Sequence, residues 1–214
     1  MSSVSEPRST PKGRRRREAL VTAAAELLLT GGYDAVRHRS VAARARLPLA
    51  STTYYFDSLD DLVAHAAEVN GRRELDLIRE QMRERAADGR DPVTLVTDLL
   101  IGPDDADDER HDLLVARYER VLAAARHPQL QGLHCRLRAE LEEMVADALA
   151  AAGRRSDREH VRLLLALVDG LVLGALGEEG ADPRARIRDV LRGAVEGPAP
   201  LEPGGVLGPY TSAT

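Results

Sequence analysis

Hydrophobic residues recur along most of the chain at the three-to-four-residue spacing of amphipathic helices. The first such segment is expected from about Arg14 to Thr30, and it ends at Gly31-Gly32 because glycine is common just beyond helix ends. Its buried stripe comprises Leu20, Ala23, Ala24, Leu27 and Leu28. Little strand-type alternation occurs, and aromatic residues are scarce, so the pattern predicts an all-α protein.

Two short helices with a tight turn between them follow. Val41, Ala42 and Ala45 give the first helix one apolar face, and Pro48 opens the second, expected over residues 48–56. Thr52 and Phe56 lie four residues apart and should point into a small core. This arrangement predicts a helix-turn-helix, whose second helix can enter the major groove of DNA.

The polar surface of this pair suits nucleic acid. Basic side chains are expected on phosphates, and Arg14 and Arg15 belong to a basic run ahead of the pair. The side chains left for DNA are Arg37, Arg39, Leu49, Ser51, Thr53, Tyr54 and Tyr55. A basic hairpin exposed for solubility is the alternative, and Tyr55 could instead belong to the core.

With its flanks, residues 17–68, the segment resembles the N-terminal DNA-binding domain of the TetR family of transcriptional regulators. The matching positions are Ala23-Ala24, Gly32-Tyr33-Asp34, Val41-Ala42, Tyr55-Phe56, Ser58, Asp61 and Leu62. The resemblance implies dimeric binding to a palindromic operator and a ligand-responsive repressor. The chain departs from the usual family pattern at four positions, with Arg37 for Thr, Arg46 for Gly, Thr53 for Tyr and Leu59 for Lys.

The remaining pattern predicts a larger helical body. A long helix is expected from Leu59 to about Asp88, and its predicted inward stripe is Leu62, Ala66, Val69, Arg73, Leu77 and Met82. Shorter helices are expected over residues 93–101, 110–125, from 128 to a stop at Gly153, 158–178 and 183–195. The inward side of the 110–125 helix is predicted to carry Leu114, Tyr118, Val121 and Leu122.

The chain should therefore contain about nine helices in two functional parts. We expect a disordered basic arm over residues 1–13, a helix-turn-helix DNA-binding domain over 14–58, a regulatory and dimerisation domain over 59–196, and a disordered tail over 197–214. Tyr33 is expected to pack beneath the helix-turn-helix.

The last two helices have apolar residues on more than one face, which predicts that they pack against a second subunit as well as their own core. The candidate interface residues are Leu164, Val168, Leu171, Gly174, Val190 and Leu191. A few polar or polarisable groups beside an aliphatic interior form the candidate ligand pocket: Arg117, Tyr118, His134 and Cys135. Since the body has almost no aromatics beyond Tyr118, the expected effector is an aliphatic or acyl-type molecule.

The net charge of −5 conceals an asymmetry that favours DNA binding. Residues 1–60 hold 10 Arg or Lys against 6 Asp or Glu, a net of +4, and the rest hold 20 against 29, a net of −9. A basic head can attract DNA locally because exposed charges farther away than about 10 Å are screened at physiological salt. A single cysteine suits a reducing cytoplasm, and no segment reads as a membrane span.

Other classes receive little support. No nucleophile elbow, phosphate loop, HExxH or Cys/His cluster is present, so neither an enzyme, a metal site nor a cofactor is expected. The acidic segment 102–109 lacks the spacing of a calcium loop and is interpreted as a solvated loop or helix start. A helical adaptor or ligand-binding protein with lost or altered DNA binding remains the alternative to a regulator, because of Thr53 and Leu59.

Overall fold

The computed structural model describes residues 10–85, 91–102, 108–154, 156–176, 178 and 183–196. Within these ranges the regular secondary structure is entirely helical. The nine described helices are α1 (Pro11–Ala35), α2 (His38–Arg44), α3 (Ala50–Tyr55), α4 (Leu59–Arg85), α5 (Pro92–Ile101), α6 (Asp108–Arg126), α7 (Pro128–Ala151), α8 (Arg158–Leu176) and α9 (Pro183–Glu196). The expected arm lies outside the described residues up to residue 9, as do the tail and residues 103–107 of the acidic segment.

Helix α1 begins three residues earlier than expected. Thr10 caps it, because the Thr10 hydroxyl oxygen accepts a 3.1 Å hydrogen bond from the Gly13 amide. The helix is interrupted at Gly32, whose φ of 63° and ψ of −166° are not helical. The predicted break at the glycine pair is therefore confirmed, although one further turn, to Ala35, follows it.

Side-chain caps fix the starts of three further helices. Ser58 Oγ accepts from the Asp61 amide at 3.0 Å at the start of α4. The carboxylate of Asp91 accepts from the Thr94 amide at 3.1 Å ahead of α5, and that of Asp157 accepts from the His160 amide at 2.8 Å ahead of α8. Each cap satisfies an amide that has no partner within its helix.

One continuous apolar core runs through the molecule. It includes the predicted stripe of α1, in which only Leu27 stays partly exposed, and the whole predicted stripe of α7: Leu130, Leu133, Leu137, Leu141, Met144, Val145 and Ala148. Helix α1 packs along α4, while α5 lies among α4, α7 and α9. The core thus joins α1–α3, which we call the head, to α4–α9, which we call the body.

The predicted inward faces of α4 and α6 are wrong in part. Leu62 and Ala66 are buried as expected, but Val69 is 41% exposed, and the buried positions that follow include the polar Asn70 and Glu74 beside Leu75 and Ile78. The predicted inward Arg73 is also exposed. On α6, Val121 and Leu122 are exposed at 37% and 64%, whereas Arg117 and Arg120 are buried. Polar residues occupy these inward positions, so the apolar pattern does not show them.

Candidate nucleic-acid interface and regulatory interior

The turn between α2 and α3 has a left-handed residue. Arg46 has a φ of 54°, the only positive φ at a non-glycine position among the described residues. The amides of Arg46 and Leu47 donate to the carbonyl oxygens of Ala43 and Ala42 at 3.1 and 3.0 Å, which closes the end of α2. This conformation favours glycine, the residue that the resemblance leads one to expect here.

Helix α3 has one face in the core and one face in solvent. Thr52 is fully buried, with its hydroxyl donating to the Leu49 carbonyl oxygen at 2.8 Å, and Phe56 is 3% exposed. Both inward predictions are confirmed. On the opposite side Leu49 is 50% exposed, Tyr54 is 80% exposed, and Thr53 is exposed beside them. These three side chains form the outward face of α3.

Two further candidates on α3 lie at the edge of that face. Tyr55 is partly buried against the core and meets the Tyr54 ring edge-on, with ring centroids 4.8 Å apart. Ser51 is half-buried in the first turn. Tyr55 therefore packs against the core, which was the alternative to a DNA contact, and only part of its side chain remains exposed.

The basic residues of the head differ in their availability. Arg39 is exposed, whereas Arg37 is bound to the Asp34 carboxylate at 3.1 Å and donates to backbone carbonyl oxygens of the preceding turn. Arg14 and Arg15 are exposed on α1, and Arg15 lines a shallow groove with Lys12, Arg16 and Leu47 beside the turn. This groove brings the start of α1 next to the helix-turn-helix.

Arg17, the last residue of the basic run, points inward. Its guanidinium lies 4.9 Å from the centre of the Phe56 ring and 2.6 Å from His65 Nε2. Because Arg17 is a donor only, His65 Nε2 accepts, and His65 Nδ1 donates to the Asp61 carbonyl oxygen at 2.8 Å. Arg17 thus fastens α1 to α4 and is not part of the exposed basic surface.

The prediction that Tyr33 packs beneath the helix-turn-helix is wrong. Its side chain faces the body. Its ring stacks on His127 with centroids 6.5 Å apart and 10° between the ring planes. Both residues line a cleft of about 160 Å³ between head and body, which also includes Leu59 and the start of α7. Leu59, where the family usually has Lys, is therefore a partly buried wall of this junction.

Three of the four candidate pocket residues come together in the body. Arg117 donates to the Glu74 carboxylate at 2.6 Å and to the Leu100 carbonyl oxygen at 3.0 Å. The Tyr118 hydroxyl donates to Asp169 at 3.2 Å, and Asp169 also binds Arg138 at 2.7 Å. Burial of the Tyr118 ring raises the pKa of its hydroxyl.

His134 is half-buried among these groups, and Cys135 is not. Burial, with the positive charges of Arg120 and Arg138, lowers the pKa of His134, so the imidazole is neutral at physiological pH. Cys135 is exposed on the other side of α7, which excludes it from the interior group. Helical geometry explains this result, since consecutive residues point about 100° apart.

The predicted dimer residues divide into buried and exposed sets. Leu164, Val168 and Leu191 are at most 1% exposed within their own chain, so they are core residues and their assignment to an interface is wrong. Gly174 is exposed, Val190 is 37% exposed, and Leu171 is partly buried. The outward surface of α8 instead carries Leu163, Leu167, Leu173 and Leu176, each between 42% and 51% exposed. We call these four leucines with Gly174 and Val190 the outer α8–α9 face.

Two negative findings apply to the described ranges alone. None of their helices combines the length and apolar character needed to cross a membrane. No group of three or more His, Cys, Asp or Glu side chains in them could hold a metal ion.

A three-helix head with an outward recognition helix, mounted on a larger helical body, defines the chain as a helix-turn-helix DNA-binding regulator. Residues 87–197, just over half of the 214-residue chain, match the family described as "Tetracyclin repressor-like, C-terminal domain". The chain therefore belongs to the TetR family of transcriptional regulators. The match covers the body from α5 to α9, and the resemblance to the family's DNA-binding domain lies in a separate segment, residues 17–68.

Individual relatives support the family assignment. The chain is 25% identical over 177 residues to the HTH-type nicotine-responsive transcriptional repressor HdnoR of Paenarthrobacter nicotinovorans, covering 79% of this chain and 87% of the relative. The structure of the multidrug binding protein EbrR complexed with imidazole is 30% identical, with a TM-score of 0.66 and coverage of 86% and 97%. A TetR-family member from Streptomyces coelicolor A3 is 29% identical, with a TM-score of 0.62 and coverage of 84% and 98%.

Proposed function

We propose that this regulator is a homodimeric, ligand-responsive repressor that binds a palindromic operator through the outward face of α3. The proposal rests chiefly on the exposure of Leu49, Thr53 and Tyr54 together, beside a buried Thr52 and Phe56 that hold the helix in place. An exposed apolar side chain and hydroxyls on one short helix can contact thymine methyl groups and base or phosphate acceptors.

Each residue of the head receives a role in this proposal. Leu49 and Thr53 contact base edges, while Tyr54 binds a phosphate. Arg14, Arg15 and Arg39 bind phosphates; Arg37, Ser51 and Tyr55 add contacts at the edge. Arg37 can reach DNA only by leaving Asp34, an exposed ion pair that costs little to break.

The proposed division of labour follows the helices. The head, α1–α3, binds DNA, and the body, α4–α9, holds the effector and the partner subunit. We propose dimerisation through the outer α8–α9 face; a palindromic operator requires the two recognition helices of the dimer to lie about 34 Å apart, one turn of DNA. Four exposed leucines on one helix are more apolar surface than a soluble monomer usually leaves open, which favours this face over the rest of the body.

DNA fragments from the promoter of its own gene provide the test of DNA binding. We expect the affinity of fluorescent fragments for the protein to fall steeply with salt, and Thr53→Ala to relax base preference at one operator position by about 1 kcal/mol. Thr30→Ala is a matched control, because Thr30 is also an exposed threonine whose hydroxyl bonds to its own helix. Equal effects of the two substitutions would refute the proposed recognition surface.

Dimerisation has a separate test by sedimentation. Leu167→Glu should shift the protein towards monomers, because it places a charge on the outer α8–α9 face, and should weaken DNA binding through the loss of the second head. Leu122→Glu makes the same substitution at an exposed leucine of α6, outside this face, and should leave both properties unaltered. A dimer that persists in Leu167→Glu, or a wild-type monomer, would contradict this interface.

The effector is proposed to bind in the body near Arg117, Tyr118 and His134. EbrR has been crystallised with proflavin and with ethidium, and the chains in these two structures align with this chain at 29% and 26% identity. The described interior of this body buries two arginines and one tyrosine, so it offers little aromatic surface on which a flat ring system could stack. We accordingly propose an aliphatic or acyl-type effector over a planar polycyclic one.

A further inference from the structure

Three ionised side chains are buried in the body, and their charges do not cancel. Glu74 of α4, Arg117 and Arg120 of α6 have side-chain exposures of 5%, 7% and 6%. We call these three residues the buried charge cluster. Two guanidinium groups face one carboxylate, so the cluster has a net charge of +1 in a region almost without water. An uncompensated buried charge is costly unless a partner is supplied.

Arg120 is the member of the cluster that lacks a good partner. Arg117 is 2.6 Å from Glu74 Oε1, whereas Arg120 Nη2 is 3.6 Å from Glu74 Oε2, beyond hydrogen-bond length. Arg120 Nε is also buried with no hydrogen-bond partner. Burial, aided by the neighbouring charge of Arg117, lowers the pKa of Arg120. The Nε–H of Arg120 is therefore an unused donor in a low-dielectric setting.

The other carboxylates near the cluster do not balance this charge. Asp169 is already held by Tyr118 and Arg138. Glu119 lies against Gly32 of α1, where it is half-exposed, so solvent screens part of its charge. The excess positive charge thus remains at Arg120.

Two neutral donors lie on the helices that pack against α6. The Tyr33 hydroxyl is buried without a partner on α1, next to Gly32, which lies against Glu119 of α6. Burial raises the pKa of Tyr33 to about 12, so the hydroxyl keeps its proton at neutral pH. His134 is half-buried on α7, which also packs against α6, and as a neutral imidazole it can offer one N–H.

A cleft open to solvent lies beside Tyr33. Tyr33 lines this 160 Å³ cleft between head and body, while its hydroxyl is buried. The cleft itself is walled by the apolar Leu59, Val63 and Leu130, which suits a short aliphatic chain.

We propose that the effector is a small organic monocarboxylate, whose carboxylate is bound by Arg120 with the hydroxyl of Tyr33 and the imidazole of His134. This inference rests on the proposed ligand-responsive function and specifies its ligand class. A carboxylate fits because its two oxygens match the planar donors of a guanidinium, and its single charge cancels the +1 of the cluster. Organic cations are disfavoured by the same charge.

Butanoate titration by calorimetry, with butanamide as the neutral control of the same shape, tests the ligand class. We expect wild-type protein to bind butanoate in preference to butanamide by roughly tenfold or more, the usual range of a charge-assisted hydrogen bond. Butanamide binding as tightly as butanoate, or the absence of butanoate binding, would overturn the proposal.

Three variants identify the site. Arg120→Met should lower butanoate affinity by roughly tenfold or more and Tyr33→Phe by about fivefold, while Arg72→Met should change neither affinity nor selectivity. Arg72 is a fair control because it is an arginine of α4 that pairs with Glu140 at the surface. If Arg120→Met does not fold, Tyr33→Phe decides alone, and an unchanged affinity in that variant overturns the site.

DNA binding measured on the same samples separates this inference from the proposed function. Protein that binds its operator without binding butanoate would sink the ligand assignment alone. Protein that binds butanoate through Arg120 without binding DNA would sink the proposed function and leave the anion site standing.

Discussion

Arg46→Gly should stabilise the protein, because Arg46 occupies the left-handed turn between α2 and α3 at a φ of 54°. A side chain at such a φ costs roughly 1–2 kcal/mol, and a glycine gives back about 0.4–1 kcal/mol through the greater entropy of its unfolded chain. The free energy of unfolding should therefore rise by about 1 kcal/mol, which for a chain of this length raises Tm by roughly 2–4 °C.

Arg46→Ala separates conformation from charge in this experiment. Alanine removes the guanidinium but keeps the backbone strain, so Arg46→Gly should be more stable than Arg46→Ala by about 1 kcal/mol in urea unfolding followed by circular dichroism. Both variants lose the same exposed cation, so any change in DNA binding should be equal in the two and cannot explain a difference in stability. Equal stability of the two variants would refute the strain at this turn.

Three further substitutions test the body. Gly71→Ala would bring a Cβ within 2.4 Å of Leu137 Cδ1, so it should lower the free energy of unfolding in urea by about 1–3 kcal/mol. The loss should be smaller when Leu137→Ala is already present, and equal losses in both backgrounds would contradict the contact. Glu74→Gln leaves Arg117 buried without its carboxylate and should lower stability by about 3–5 kcal/mol, and a loss below about 1 kcal/mol would argue against a buried pair. Burial raises the pKa of Tyr33 to about 12 in the folded state, so folding favours the neutral hydroxyl and the free energy of unfolding should fall as pH rises from 10 to 12. In unfolding curves measured over this pH range, Tyr33→Phe should remove the part of that fall which Tyr33 causes.

Apolar periodicity predicted those helices whose inward positions are mainly hydrophobic. The stripe of α7 and most of that of α1 follow from leucine and alanine spacing alone. In the head, Thr52 and Phe56 were placed correctly because a four-residue separation puts two side chains on one side of a helix. Such inferences need only local geometry.

The errors have a common physical origin. In α4 and α6 the inward positions include Glu74, Arg117 and Arg120, and a pattern that assigns charges to solvent turns both helices the wrong way. Glu74 of α4 can be buried because Arg117 of α6, 43 positions later in the sequence, forms an ion pair with it. Tyr33 fails for the same reason, since its partner His127 is distant in sequence.

A buried charge that misleads pattern analysis also has energetic significance, because natural chains depart from the apolar pattern chiefly where function requires it. Tyr33 of α1 lies where head and body meet, and Arg120 of the buried charge cluster belongs to α6, which packs against α1. An anion that bridges Tyr33 and Arg120 would fix α1 against α6, and so set the orientation of the head.

Such a ligand can alter DNA affinity only by its difference in affinity between the DNA-bound and DNA-free conformations, and the coupling must be reciprocal. We therefore expect butanoate to change operator affinity by roughly 5-fold to 150-fold, and saturating operator to change butanoate affinity by the same factor in the same direction. Calorimetric titration of butanoate into free and DNA-bound protein measures the second factor, and fluorescence anisotropy measures the first. Arg120→Met should abolish both together, and two unequal factors would exclude a single linked equilibrium through the cluster.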